Sequence, residues 1–167
     1  MSNHTSRSLV FSPCSLLMGF LFAYSASVQL DDPDWYLWLP LYASASAINF
    51  LHIWLASRSM EMTASLTLLL GMVLFLKVSV EDYAHGLAGF WSMDMSERVV
   101  REKLGSGLVA ASMLIHLKAS PAAAGRRRTN RRVATRRCVD FGMATLVALS
   151  VGLCFYSFVF VRREMKK

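Results

Sequence analysis

Residues 29–42 read Q-L-D-D-P-D-W-Y-L-W-L-P-L-Y. Asp31, Asp32 and Asp34 place three carboxylates within four positions, and an apolar block lies on either side. Leu9 to Leu30 precede them and Trp35 to Ala56 follow. Each block is 22 residues long, about 33 Å as a helix, enough for a hydrocarbon core of roughly 30 Å. Carboxylates between two such blocks belong in water, so the chain must turn there. Trp35, Tyr36 and Trp38 then fall at the depth where a bilayer favours amphipathic rings. The stretch therefore reads as the hairpin between two membrane spans.

Three further blocks follow the same logic: Thr63 to Val80, Val99 to Leu117 and Val139 to Val161. The fourth is the least apolar, because Arg101, Glu102 and Lys103 occupy its first turns. The chain is 54% hydrophobic and only 17% charged, with mean hydropathy +0.40, a balance foreign to a soluble domain. The expected fold is a single all-α membrane domain over residues 1–167. It has five transmembrane helices at about 9–30, 35–56, 63–80, 99–117 and 139–161, short loops and no soluble domain. Arg58 to Glu61 read as a turn, and Glu81 to Arg98 and Lys118 to Cys138 as longer connections. The first block, long for a cleaved signal peptide, reads as a span.

Polar residues inside the blocks are informative because lipid offers them no partner. Trp35, Trp38, Tyr42, Asn49 and His52 share one side of the second helix at helical spacing and should face other helices. His116 in the fourth span reads as a hydrogen-bonded interior residue. Lys77 reads as a side chain that reaches the interface and pairs with Glu81 at i, i+4. Small residues at 43–47, and Ala144, Ala148 and Gly152, would allow close helix approach.

The net charge is +7, and eight of 18 basic residues lie between Lys118 and Arg137. Arg126, Arg127, Arg128, Arg131, Arg132, Arg136 and Arg137 beside a span read as a site for anionic lipid head groups. No aromatic residues interleave with them, which argues against nucleic acid. This loop and the short second turn favour the N-terminal side as cytoplasmic. Nine of the eleven carboxylates lie on the opposite side, at an acidic mouth.

The turn residues have a structural explanation. Asp32 suits an N-cap, Pro33 the first helical position, and Asp34 the positive end of a helix. The alternative is a carboxylate cluster for a hard cation, with oxygens from Gln29 or Glu102. Arg101 and Glu102 could pair with Asp34 or Asp32 across helices. No nucleophile triad, zinc-binding helix or phosphate loop is present. Cys14, Cys138 and Cys154 show no metal or disulfide spacing. No catalytic residue, metal or cofactor is assigned.

The pattern Gln29, Asp32, Pro33, Asp34, Leu37, Trp38, Tyr42 resembles the hallmark of the transmembrane protein 220 family. Glu97, Arg101, Glu102 and Gly107-Leu108 resemble its later acidic-basic helix start. The resemblance implies a small multi-pass membrane protein without an established activity. The candidate polar cluster is therefore Gln29, Asp32, Pro33, Asp34, Trp38, Tyr42, Glu97, Arg101 and Glu102. The expected role is that of a structural, interaction or accessory protein of an endomembrane or the plasma membrane, with a membrane-protein partner or a second copy. A small transporter or channel using the acidic mouth is the alternative. A membrane-embedded metal-dependent enzyme ranks last.

Overall fold

The computed structural model describes residues 10–51, 58–85, 98–120 and 129–164, with side chains over 10–51, 58–84, 98–120 and 134–156. Within these residues the backbone is helical and contains no strand. Five helices follow in order: α1 (Phe11–Val28), α2 (Trp35–Leu51), α3 (Arg58–His85), α4 (Arg98–Ala119) and α5 (Thr129–Glu164). A 3₁₀ turn, Gln29–Asp31, closes α1.

The helices form a closed ring in which α1 packs on α2, α2 on α3, α3 on α4, α4 on α5 and α5 on α1. A direct α2–α4 contact crosses the ring. Close packing is achieved where a side chain is missing. A Cβ at Gly19 would stand 2.9 Å from the Phe50 ring, and Ser46 donates to the Gly19 carbonyl at 3.0 Å. At Gly71 a Cβ would meet Leu41 at 3.5 Å and the Ser106 carbonyl at 3.6 Å, ordinary contact, so α3 lies close to α2 and α4 there with room for a methyl. The core includes Met18, Phe22, Trp38, Leu41, Tyr42, Ala45, Leu74, Val78, Val109, Met113 and Met143.

Among the described residues, three helices are long and apolar enough to cross a membrane: Phe11–Asp31, Arg58–Ala84 and Ala134–Tyr156. They also carry most of the exposed large apolar side chains, among them Phe20, Tyr24, Leu66, Leu69, Leu76, Phe141, Val151 and Phe155. This is the surface that lipid covers. Helices α2 and α4 fall short for separate reasons. The described part of α2 has 17 residues, roughly 25 Å. Helix α4 has 22 residues but carries Arg98, Arg101, Glu102, Lys103 and Lys118. Its buried side chains include Glu102, Lys103, Ser106, Ser112 and His116. A helix enclosed by protein can hold polar groups that its neighbours answer, so its apolar signal is weaker than that of a lipid-facing helix.

Three expectations need correction. Arg58 to Glu61 are the first turn of α3, not a connecting turn. Glu81 to His85 continue α3. The supposed arginine loop is helical from Thr129, so Arg131, Arg132, Arg136 and Arg137 stand on α5 itself. Nothing in Thr129–Cys138 breaks a helix, since the stretch lacks Gly and Pro and arginine is a good helix former. Residues 52–56, including His52, lie outside the described residues.

Candidate functional site

The polar side chains gather at two ends of the bundle. One end is the hairpin mouth. Asp32 is extended (φ −85°, ψ 144°), and its carbonyl accepts from the Trp35 N–H at 3.1 Å. The Asp34 carbonyl accepts from the Leu37 N–H at 3.0 Å. The start of α2 is thus tied by backbone bonds, and the Asp34 side chain points elsewhere. Its Oδ2 receives the Trp38 indole N–H at 3.1 Å and lies 2.5 Å from Arg98 Nη2. Arg98 Nε also donates to Glu102 Oε1 at 2.5 Å. One guanidinium therefore joins a carboxylate from α2 to a carboxylate on its own helix. The Asp34 and Glu102 side chains are 16% and 7% exposed, Arg98 43%. The hydrogen bond to Glu102, with the charges of Glu102 and Asp34, holds Arg98 protonated above its ordinary value.

A second pair stands beside the first. Lys103 Nζ lies 2.5 Å from Asp82 Oδ2, tying α4 to the end of α3, and the Asp82 side chain is 1% exposed. Lys77 reaches Glu81 at 3.7 Å on the outer side of α3. Two turns below Asp34, Tyr42 lies against Gly105, where any Cβ would collide with its hydroxyl. Gln29 Oε1 and Asp34 Oδ1 are buried and have no hydrogen-bond partner among the described residues.

The other end holds a network of amide, hydroxyl and imidazole groups. Asn49 Nδ2 donates to the Ala45 carbonyl at 2.9 Å and to Ser112 Oγ at 3.2 Å. Its Oδ1 lies 3.0 Å from His116 Nε2 and accepts from Ser15 Oγ at 3.2 Å. Ser15 also donates to the Asn49 carbonyl at 2.9 Å. The network joins α1, α2 and α4, and all four side chains are buried. Nearby, Ser120 at the end of α4 donates to Glu61 at the start of α3.

The structure thus brings Asp34, Trp38 and Glu102 together and places Tyr42 one turn below Trp38, their rings stacked at 6.2 Å. Arg101 is exposed on the other side of α4 and Asp32 is half-buried. Pro33 is exposed in the turn, and Glu97 lies outside the described residues. The arginine that meets Asp34 is Arg98. The i, i+4 spacing of Arg98 and Glu102 could have revealed it, because Arg101 sits about 100° away from Glu102 around the helix. Lys103–Asp82 and the roles of Ser15 and Ser112 left no local signal. Among the described residues, no three His, Cys, Asp or Glu side chains are placed to hold a metal ion.

An all-helical bundle with three lipid-compatible helices and cross-helix ion pairs at one mouth defines an integral membrane protein. The family described as Transmembrane family 220, helix, matches residues 21–118, and the chain belongs to it. The match spans the hairpin, the mouth pairs, Asn49, Ser112 and His116, and it ends before α5. No curated protein and no solved structure matches the chain.

Proposed function

We propose that the chain is a single membrane domain of five spans, its N-terminal side cytoplasmic, that acts as an accessory or interaction protein within an endomembrane or the plasma membrane. The carrying observation is the outer side of α5. Ala148 and Gly152 are exposed there, and a Cβ added at Gly152 meets nothing within 4 Å. Small residues one turn apart let a further helix approach to backbone contact. The fitting occupant is a helix of another membrane protein or of a second copy. Inside the bundle, the Lys103–Asp82 pair and the Asn49 network are buried, which suits a rigid partner rather than a pathway. Gly152→Leu should abolish co-purification of the partner from native membranes in mild detergent while leaving the helix content unchanged. A clean monomer from the parent chain, with no companion, would refute the reading. For the span count, single cysteines at Ser92 and Ser120 should label from opposite sides; labelling from one side would remove α4 as a span.

A second reading, a small transporter opening at the acidic mouth, is favoured by the buried, unanswered oxygens of Gln29 and Asp34. Opening the Arg98 clasp would add Asp34 and Glu102 to a polar entrance. Intramembrane ionisable groups often mark such paths. Arg98→Gln should then change cation or proton flux in proteoliposomes. Equal flux for variant, parent and empty vesicles would refute it.

A further inference from the structure

We infer that the arginine-bearing start of α5, with the neighbouring ends of α3 and α4, forms a docking surface for the anionic head groups of the leaflet facing the N-terminal side. Helix α5 runs unbroken for 36 residues, about 54 Å, against a hydrocarbon thickness of roughly 30 Å. It must project beyond the membrane. Among its described side chains the first buried one is Val139, followed by the strongly exposed Phe141, and the notably apolar stretch begins there. Counting back from Val139, Arg137 and Arg136 stand about 3 to 4.5 Å outside, and Arg132 and Arg131 about 10 to 12 Å. A head-group layer is about 5 to 7 Å deep, and the Debye length at physiological salt is about 8 Å. The backbone of the first pair therefore stands among the head groups and that of the second a little beyond them. A flexible loop would spread these charges; a helix continuous with a span holds each at a fixed height.

Bases on the adjoining helices extend the surface. Arg58 at the first turn of α3 and Lys118 in the last turn of α4 are exposed at this same end, as are Arg136 and Arg137. The acids described there are Glu61, engaged by Ser120, and Asp140, half-buried on α5. The charge balance at this end is positive, and the occupant it complements is a sheet of negative head groups.

The test uses the full chain, extracted into mild detergent from bilayers of equimolar phosphatidylcholine and phosphatidylserine. Retained lipids are counted by mass spectrometry. The parent should retain phosphatidylserine preferentially. The double substitution Arg136→Gln/Arg137→Gln should lower that preference about fivefold for each arginine removed. Arg136→Lys/Arg137→Lys should keep it, because charge rather than fork geometry carries the contact. High salt should erase it. Circular dichroism checks folding of each variant; if the Gln variant does not fold, the salt series on the parent decides. No preference in the parent, a preference unmoved by salt or by the Gln pair, or equal loss in the Lys pair would overturn the inference. So would ribonuclease-sensitive RNA, or an acidic protein, retained on this surface in phosphatidylcholine alone.

Discussion

The clasp at the mouth makes a prediction that helix capping does not. A residue that only complements the helix dipole tolerates amidation well, at a cost of about 0.3–1 kcal/mol. Asp34, however, contacts Arg98 and Trp38 through one oxygen. Stranding one partner of a fully buried ion pair costs about 3–5 kcal/mol. Arg98 is 43% exposed and keeps Glu102, so solvent and the second carboxylate absorb much of that. Asp34→Asn should therefore cost about 1–2 kcal/mol. Asp34→Ala also removes the acceptor of the Trp38 N–H, adding about 1 kcal/mol. Arg98→Gln leaves two acids facing one another and should cost about 2–4 kcal/mol. In the double variant Asp34→Asn/Arg98→Gln the losses should fall short of their sum by about 1 kcal/mol, the mark of a shared contact. Asp32→Asn is the control: its side chain makes no bond among the described residues, so the change should stay within about 0.5 kcal/mol. The assay is equilibrium unfolding in mixed detergent micelles. Asp34→Asn matching Asp32→Asn, with additive losses against Arg98→Gln, would show that the clasp contributes nothing.

Other contacts give equally direct tests. Gly105→Ala drives a methyl into the Tyr42 hydroxyl and should cost about 1–3 kcal/mol; Tyr42→Phe should rescue it in the same unfolding assay, and an unrescued double variant would mean the clash lies elsewhere. Lys103→Met removes the ammonium that neutralises the buried Asp82 and should cost about 3–5 kcal/mol, whereas Lys103→Met/Asp82→Leu should recover most of it. Asn49→Leu removes side-chain bonds to Ser15, Ser112 and His116. At the roughly 0.6 kcal/mol typical of such bonds within membranes, the loss should be about 1–2 kcal/mol, and a melting temperature at or above the parent's would contradict it.

The sequence carried the parts of the fold that repeat along one helix. Apolar length announced α1, α3 and α5, and the carboxylates of Asp31, Asp32 and Asp34 announced the hairpin. The inward stripe of α2 was also legible, since Trp38, Tyr42 and Asn49 are all buried. Trp35 departs from that stripe and is 47% exposed. Helix lengths were read short wherever charge was taken as the end of a helix. Arg58 and Arg131 through Arg137 show why: outside the hydrocarbon, charge ends a span but not a helix. The site was legible on its α2 half and at Glu102, but not at Arg98. Which base meets Asp34 depends on how α4 is rotated and how far it slides. That is decided by packing between helices more than 60 positions apart in the chain, and no local spacing records it.

That packing has a regularity of its own. Asp34 meets Arg98, Tyr42 meets Gly105, and Asn49 meets Ser112. The offsets between partners are 64, 63 and 63 residues. An offset this constant means that α2 and α4 run parallel with one register from mouth to far end. The three contacts differ in kind: an ion pair, a hydroxyl seated on a glycine, and an amide network. Asp34 and Asn49 are 15 positions apart, about 22 Å along the helix, so the contacts bracket the apolar middle of the bundle. A slide of one turn, about 5.4 Å, would part Asp34 from Arg98, move Tyr42 off its glycine and separate Asn49 from Ser112 and His116. Apolar core residues such as Leu41, Val109 and Met113 would tolerate that slide far better, since one aliphatic surface replaces another. The specificity of the arrangement therefore resides in its few polar contacts, while the larger apolar area supplies the cohesion. This explains how α4 can carry five charged residues and still have most of its polar side chains enclosed.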